Sequence, residues 1–253
     1  MDINTTTSIL FPFYISFIFL SSLHTIFDQI FLKHKNRINT PPNKKKIVQG
    51  AQEIDAIAKG KSNKYLLFIC TLISLCHGLV CSLTHSYILL TSNFALCNMI
   101  KAFSLAYFVI DSYCTCILED VGMLLHHIAS SVCAILTIVY YRPEYAMYES
   151  LLVLIGEITN PLQNYFFTMK IWCGDQRKQE FNEKHYNLFR VYFVLFALVR
   201  FICAPIVFIK YLSIISDSVH FYIMTLCFIG IIVGSLKWTR GQYNLIKRMK
   251  KCD

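Results

Sequence analysis

Charge is what this sequence has least of. Only 15% of its 253 residues are Asp, Glu, Lys or Arg, where an ordinary soluble domain carries about 25%. Its mean hydropathy is +0.49, more than a soluble chain of this size needs to fill a core. A water-soluble globule is thereby excluded. Among the 11 cysteines no two form a CxxC pair, and no histidines stand at HxxxH or HxxHH spacing. Metal and redox chemistry therefore have no spacing motif to rest on, no metal is expected, and the cysteines read as small apolar packing residues. No basic segment precedes the first apolar run, so that run reads as a retained helix and not as a cleaved signal peptide. The apolar runs are continuous instead of alternating over about ten residues, which excludes a membrane β-barrel. Repeats and low-complexity segments are absent as well.

What is present is a series of seven apolar runs: Ser8 to Leu32, Tyr65 to Leu90, Cys97 to Leu118, Val121 to Tyr141, Tyr145 to Met169, Tyr186 to Tyr211 and Val219 to Trp238. Each spans roughly 20 residues or more, enough for a helix to cross about 30 Å of hydrocarbon. The expected fold is all-α, a polytopic transmembrane bundle of about seven spans. Two- and three-residue connections make the third, fourth and fifth spans antiparallel neighbours.

The net charge of +9 is unevenly placed. Nine Lys and Arg lie between Lys33 and Lys64, four between Lys170 and Lys184, and six from Lys237 onward, against Lys101, Arg142 and Lys210 on the other side. Positive-inside bias then predicts a luminal N-terminus and a cytosolic C-terminus, and seven crossings give the same parity. The basic charge is topogenic, and nucleic acid is not an expected partner. Anionic lipid headgroups are a secondary partner for the loop "KHKNRINTPPNKKKI". The closing residues "KKCD" set Lys250 and Lys251 in the pattern of a dilysine retrieval signal, whose partner is the coat-protein retrieval machinery.

Ionisable residues within spans are costly and face the bundle interior, where they pair or function. At 1.5 Å per residue from the cytosolic span ends, His127 lies about 9 Å deep, Asp111 about 10 Å, Asn160 about 14 Å, Glu157 and His77 about 18 Å, and Arg200 about 21 Å. Asp111 stands opposite His126 and His127 across a hairpin turning at Glu119 and Asp120. Ser104, Asp111 and Thr115 share one stripe within about 40°, and Glu157, Asn160 and Asn164 share another within about 60°. Pro161 removes a backbone donor and frees the carbonyl of Glu157. His127 is expected to face a polar cavity as base or nucleophile, oriented by Asp111, with His126 the packed member of the pair. His77, Arg200 and the Glu157 stripe either line that cavity or serve as interhelical hydrogen-bonding pairs.

The stretches "YFVIDSYCTCI", "MLLHHIASSV", "LIGEITNPLQNYFF" and "FALVRFICAPIVF", with "CHGLV" around His77, resemble the TLC-domain family. That family includes ceramide synthases, translocon-associated membrane proteins and lipid-homeostasis proteins. The resemblance runs from the first helix to about Arg248. It implies an N-terminal helix over 1–32, a basic loop over 33–64, a TLC domain of six core helices over 65–248 and a tail over 249–253. It further implies an endoplasmic reticulum location, a lipid-accessible cavity and a membrane lipid as partner. By the match His126 and His127 occupy the histidine pair of ceramide synthases, and Glu157 and Asn160 the two acidic positions. Gly156 stands where a histidine is expected and Asn160 where an aspartate is, a departure that weighs against ceramide synthesis. Two functions follow as expectations. One is lipid handling without catalysis or cofactor; the other is lipid N- or O-acyl transfer with acyl-CoA as co-substrate. A transporter or cargo receptor is a third.

In cells, a tag on the N-terminus should be shielded from the cytosol and one on the C-terminus exposed. Replacing Lys250 and Lys251 by alanine should release the tagged protein from the endoplasmic reticulum. Two tags on one side would overturn the parity, and an unmoved variant the signal.

Overall fold

The computed structural model describes residues 3–35, 38, 64–118, 120–173 and 178–250. Most of the basic loop, Glu119 at the expected hairpin tip and Lys251 lie outside them. Among the described residues the chain is helical throughout: α1 (Ile3–Phe31), α2 (Lys64–Thr91), α3 (Cys97–Ile117), α4 (Val121–Val139), α5 (Pro143–Glu157), α6 (Asn160–Cys173), α7 (Lys178–Leu198), α8 (Ala204–Leu212) and α9 (Ser218–Lys250). A π-turn over Val199–Cys203 joins α7 to α8.

Among the described residues, six helical segments are long and apolar enough to cross a membrane: Leu10–His34, Lys64–Thr91, Phe94–Ile117, Val121–Val139, Glu183–Leu212 and Ser218–Lys247. Their outer faces carry large apolar side chains open to the surroundings, Leu83, Leu90, Ile209 and Leu226 among them. A water-soluble protein does not leave so much apolar surface uncovered. This is a multi-pass membrane bundle.

The fifth expected span, Tyr145 to Met169, is not one helix. It breaks at Ile158 and Thr159 into α5 and α6, because Pro161 has no N–H to continue the ladder and its ring conflicts with the carbonyl four residues earlier. The two pieces still run as one antiparallel rod along α2. Thr168 donates to Thr71 at 3.0 Å near one end, and Gly78 abuts Asn160 and Pro161 at the break.

The remaining helices close a ring. Going round it, α2 packs on α3, α3 on α4, α4 on α9, α9 on α7, and α5 with α6 complete the circuit back to α2. The helix α1 stands outside, against α3 and α2, burying Leu20 while exposing Phe11, Tyr14 and Ile18. Asp120 caps α4 by accepting from the Met123 N–H at 3.1 Å, which fixes the α3–α4 hairpin. Tyr192 ties three helices, donating to Gln163 at 2.7 Å and accepting from Gln242 at 2.7 Å.

At Gly78 a side-chain carbon would sit 3.2 Å from Pro161 Cδ and 3.3 Å from Asn160 Cβ. Gly78→Ala should therefore cost about 1–3 kcal/mol through overpacking, read as a lower thermal midpoint in detergent. Gly234→Ala, whose added carbon meets nothing within 4 Å, should not lower it. Equal midpoints for Gly78→Ala and wild type would mean that α2 does not seat against the break.

Candidate functional site

The ring encloses a cavity of about 170 Å³. Each wall is one helix face at the spacing of a helical stripe: Lys101, Ser104 and Phe108 from α3; His126, Ser130, Cys133, Ala134 and Thr137 from α4; Glu149, Leu152, Val153 and Gly156 from α5. Arg200, Ala204, Phe208 and Tyr211 come from the π-turn and α8, and Met224, Phe228, Ile231 and Ile232 from α9. Polar groups thus gather at the two ends, with apolar walls between them.

At one end the broken helix sets the chemistry. The last carbonyls of α5 lose their helical donors, and the Arg200 guanidinium donates to the carbonyl of Gly156 at 2.5 Å. Cations are favoured at such a C-terminus, where the helix dipole is negative. Arg200 reaches it from the π-turn, which sits just before Pro205 and widens the helix where a regular turn would clash with the proline ring. Its Nε has no partner among the described residues. Glu157, also in the wall, accepts from Asn160 at 2.9 Å and stands 3.7 Å from His77.

Behind this end runs a polar chain. His77 Nε2 lies 3.2 Å from the Ser104 hydroxyl, and its ring stacks on Tyr107 at 3.8 Å. Tyr107 donates to Asp111 Oδ2 at 3.3 Å, and the same oxygen lies 3.3 Å from His127 Nε2. The expected meeting of Asp111 with the histidine pair across the hairpin is therefore present.

The roles expected within the pair are reversed in space. His127 is buried at 2% exposure against Asp111; His126 lines the cavity, packs its edge on Trp238 at 4.9 Å and keeps Nδ1 without a partner. The physical reason is the α4 face: His126, Ser130 and Thr137 lie within about 40° of one another, while His127 is rotated about 100° toward α3. Of the other expected residues, Glu157 and Arg200 line the cavity. His77 reaches it through Ser104 and Glu157 and Asn160 through Glu157, and Asn164 lies a turn further along α6, outside the lining.

The other end is a network that sequence reasoning missed. Lys101, counted from the sequence with the charges of the luminal side, is buried in α3 and donates to Glu149 at 2.5 Å and to the Thr137 carbonyl at 3.1 Å. Tyr211 donates to the second Glu149 oxygen at 3.0 Å and lies 3.3 Å from His220 Nε2. The signal available was the i, i+3, i+4, i+7 run from Glu149 to Gly156, which puts Glu149 on the face of the break.

A third cluster sits beside Asp111: the thiols of Cys70 and Cys114 and the Asp111 carboxylate, all buried, have atoms within 4.8 Å of one another. Comparison of the chain with protein-family models, with curated proteins and with solved structures found no match.

Lys101→Met should strand the Glu149 carboxylate and cost about 3–5 kcal/mol, whereas Lys101→Met with Glu149→Leu removes both charges and should recover most of that loss. Thermal unfolding in detergent measures both. A double variant no more stable than the single one would show that the two do not act as a pair.

Proposed function

We propose that this chain is a multi-pass protein of the endoplasmic reticulum membrane that takes a lipid headgroup, with the first carbons of its chain, into the central cavity and serves in lipid handling and homeostasis. The observation that carries this reading is Arg200. It is a buried cation in the wall of a mixed polar and apolar cavity, and its Nε has no hydrogen-bond partner among the described residues. Hydrogen bonds to charged groups are worth about 1.5–3 kcal/mol, so a phosphate or carboxylate beside Arg200 and His126 gains binding that water cannot match inside a membrane. Size agrees with part of a lipid. An apolar cavity of about 150 Å³ holds a benzene-sized body. At about 170 Å³, a headgroup and a few methylenes fit, and the rest of the chain must pass between helices into the bilayer. The TLC-type resemblance supports the lipid and the compartment. The charge asymmetry supports a cytosolic C-terminus, and the more so with Lys101 buried in a pair and removed from the luminal count.

A second reading, acyl transfer from acyl-CoA to a lipid amine or hydroxyl, is favoured by one observation: His126 presents an imidazole to the cavity with Nδ1 unengaged. Such a group serves as base or nucleophile. Native mass spectrometry of the gently purified full-length protein separates the two. Lipid handling predicts a retained, non-covalent lipid, lowered about tenfold in Arg200→Leu. Acyl transfer predicts an added acyl mass that disappears in His126→Ala. Empty spectra, or equal lipid retention in Arg200→Leu, would overturn the binding site.

A further inference from the structure

We propose that Cys70, Cys114 and Asp111, with His24 of α1, form a zinc site between α1, α2 and α3, separate from the central cavity. Three donors are already assembled. The Cys70 and Cys114 sulfurs lie within 4.8 Å of one another, both thiols are free and buried, and Asp111 places a carboxylate oxygen within 4.8 Å of each sulfur. His24 of α1 neighbours Cys114 and is the residue that would supply the fourth donor.

The donor set selects the ion. Two thiolates, an imidazole and a carboxylate suit tetrahedral zinc, while calcium and magnesium take oxygen ligands. Tetrahedral Zn–S and Zn–N distances of about 2.3 and 2.0 Å set ligand atoms roughly 3.3–3.8 Å apart. The cluster needs only to contract by about 1 Å at its widest from its 4.8 Å limit. Binding would release the two thiol protons and leave the thiolates on the metal. Asp111 is held for this task from outside: Tyr107 and His127 both engage Oδ2, leaving the other oxygen for the ion, as ligand carboxylates are oriented in known metal sites.

Access is short. Counting at 1.5 Å per residue, Cys114 lies about 5 Å from the end of α3, Cys70 about 9 Å from the start of α2 and His24 about 10 Å from the end of α1. All lie toward the end of the bundle that carries Lys33, Lys35 and Lys64. Spacing motifs could not show this site, since its four donors come from three helices.

The test uses full-length protein purified in detergent with a thiol reductant. Elemental analysis should find about one zinc per chain. After chelation, added cobalt should give the visible bands of a tetrahedral ion and a thiolate charge-transfer band. Both should vanish in Cys70→Ser and Cys114→Ser and persist in Cys116→Ser, whose thiol is exposed. His127→Ala, which removes only an outer hydrogen bond, should weaken cobalt binding about tenfold to a hundredfold. If the serine variants fail to purify, maleimide labelling of wild-type Cys114 decides: zinc should block it and chelation restore it. No cobalt bands in wild type, bands that survive Cys114→Ser, labelling indifferent to zinc, or a Cys70–Cys114 disulfide in the reduced preparation would each overturn the site.

Discussion

A backbone carbonyl inside hydrocarbon must find a donor, and in this bundle that requirement is met at Gly156 by a side chain. The break between α5 and α6 frees carbonyls where no water can reach them cheaply, and Arg200 supplies the N–H groups. The exchange works in both directions. A guanidinium buried at this depth needs acceptors as much as the broken helix needs donors. Each irregularity lies just before a proline, Pro161 for the break and Pro205 for the π-turn, and the two meet at one end of the cavity through the Arg200–Gly156 bond. Straightening either helix would close the space between them and leave the partner unsatisfied.

Much of this was legible in the chain. Continuous apolar runs and scarce charge specify membrane helices, and their bounds fall within a few residues of those observed for α2, α3 and α4. The break was signalled by Pro161, yet the run from Tyr145 to Met169 reads as one span because apolar length says nothing about whether a rod is continuous. Asp111 against His127 could be foreseen because a tight hairpin fixes which depths meet. Lys101 with Glu149 could not, since both lie near span ends, where a charge ordinarily reads as a loop residue snorkelling to water.

The histidine pair shows how much depends on the width of the wheel considered. With only Ser130 and Ser131 as companions, the two imidazoles sit on either side of a polar arc and their roles are ambiguous. Extended three turns to Thr137, the small and polar stripe passes through His126, Ser130 and Thr137 and leaves His127 toward α3. Burial confirms that geometry: His127 is paired with Asp111, and His126 opens on the cavity. Adjacent residues on a helix cannot serve one surface, so the pair divides its duties between a hydrogen-bonded support and a cavity wall.

The two ends of the cavity differ in how their charged groups are engaged. At the Lys101 end the ammonium has Glu149 and the Thr137 carbonyl, and each Glu149 oxygen has a donor. Its charges are therefore satisfied within the protein, and a ligand entering there would have to displace a bond to make one. Breaking a buried pair costs more than a neutral hydrogen bond returns, which makes that end a floor. At the other end Arg200 Nε and His126 Nδ1 are buried without a partner among the described residues, and the Arg200 guanidinium is bonded to a neutral carbonyl, that of Gly156. On the proposed reading, an anionic headgroup is favoured at the broken helix, where no ion pair has to be broken, with the methylenes that follow it against Leu152, Phe208 and Phe228.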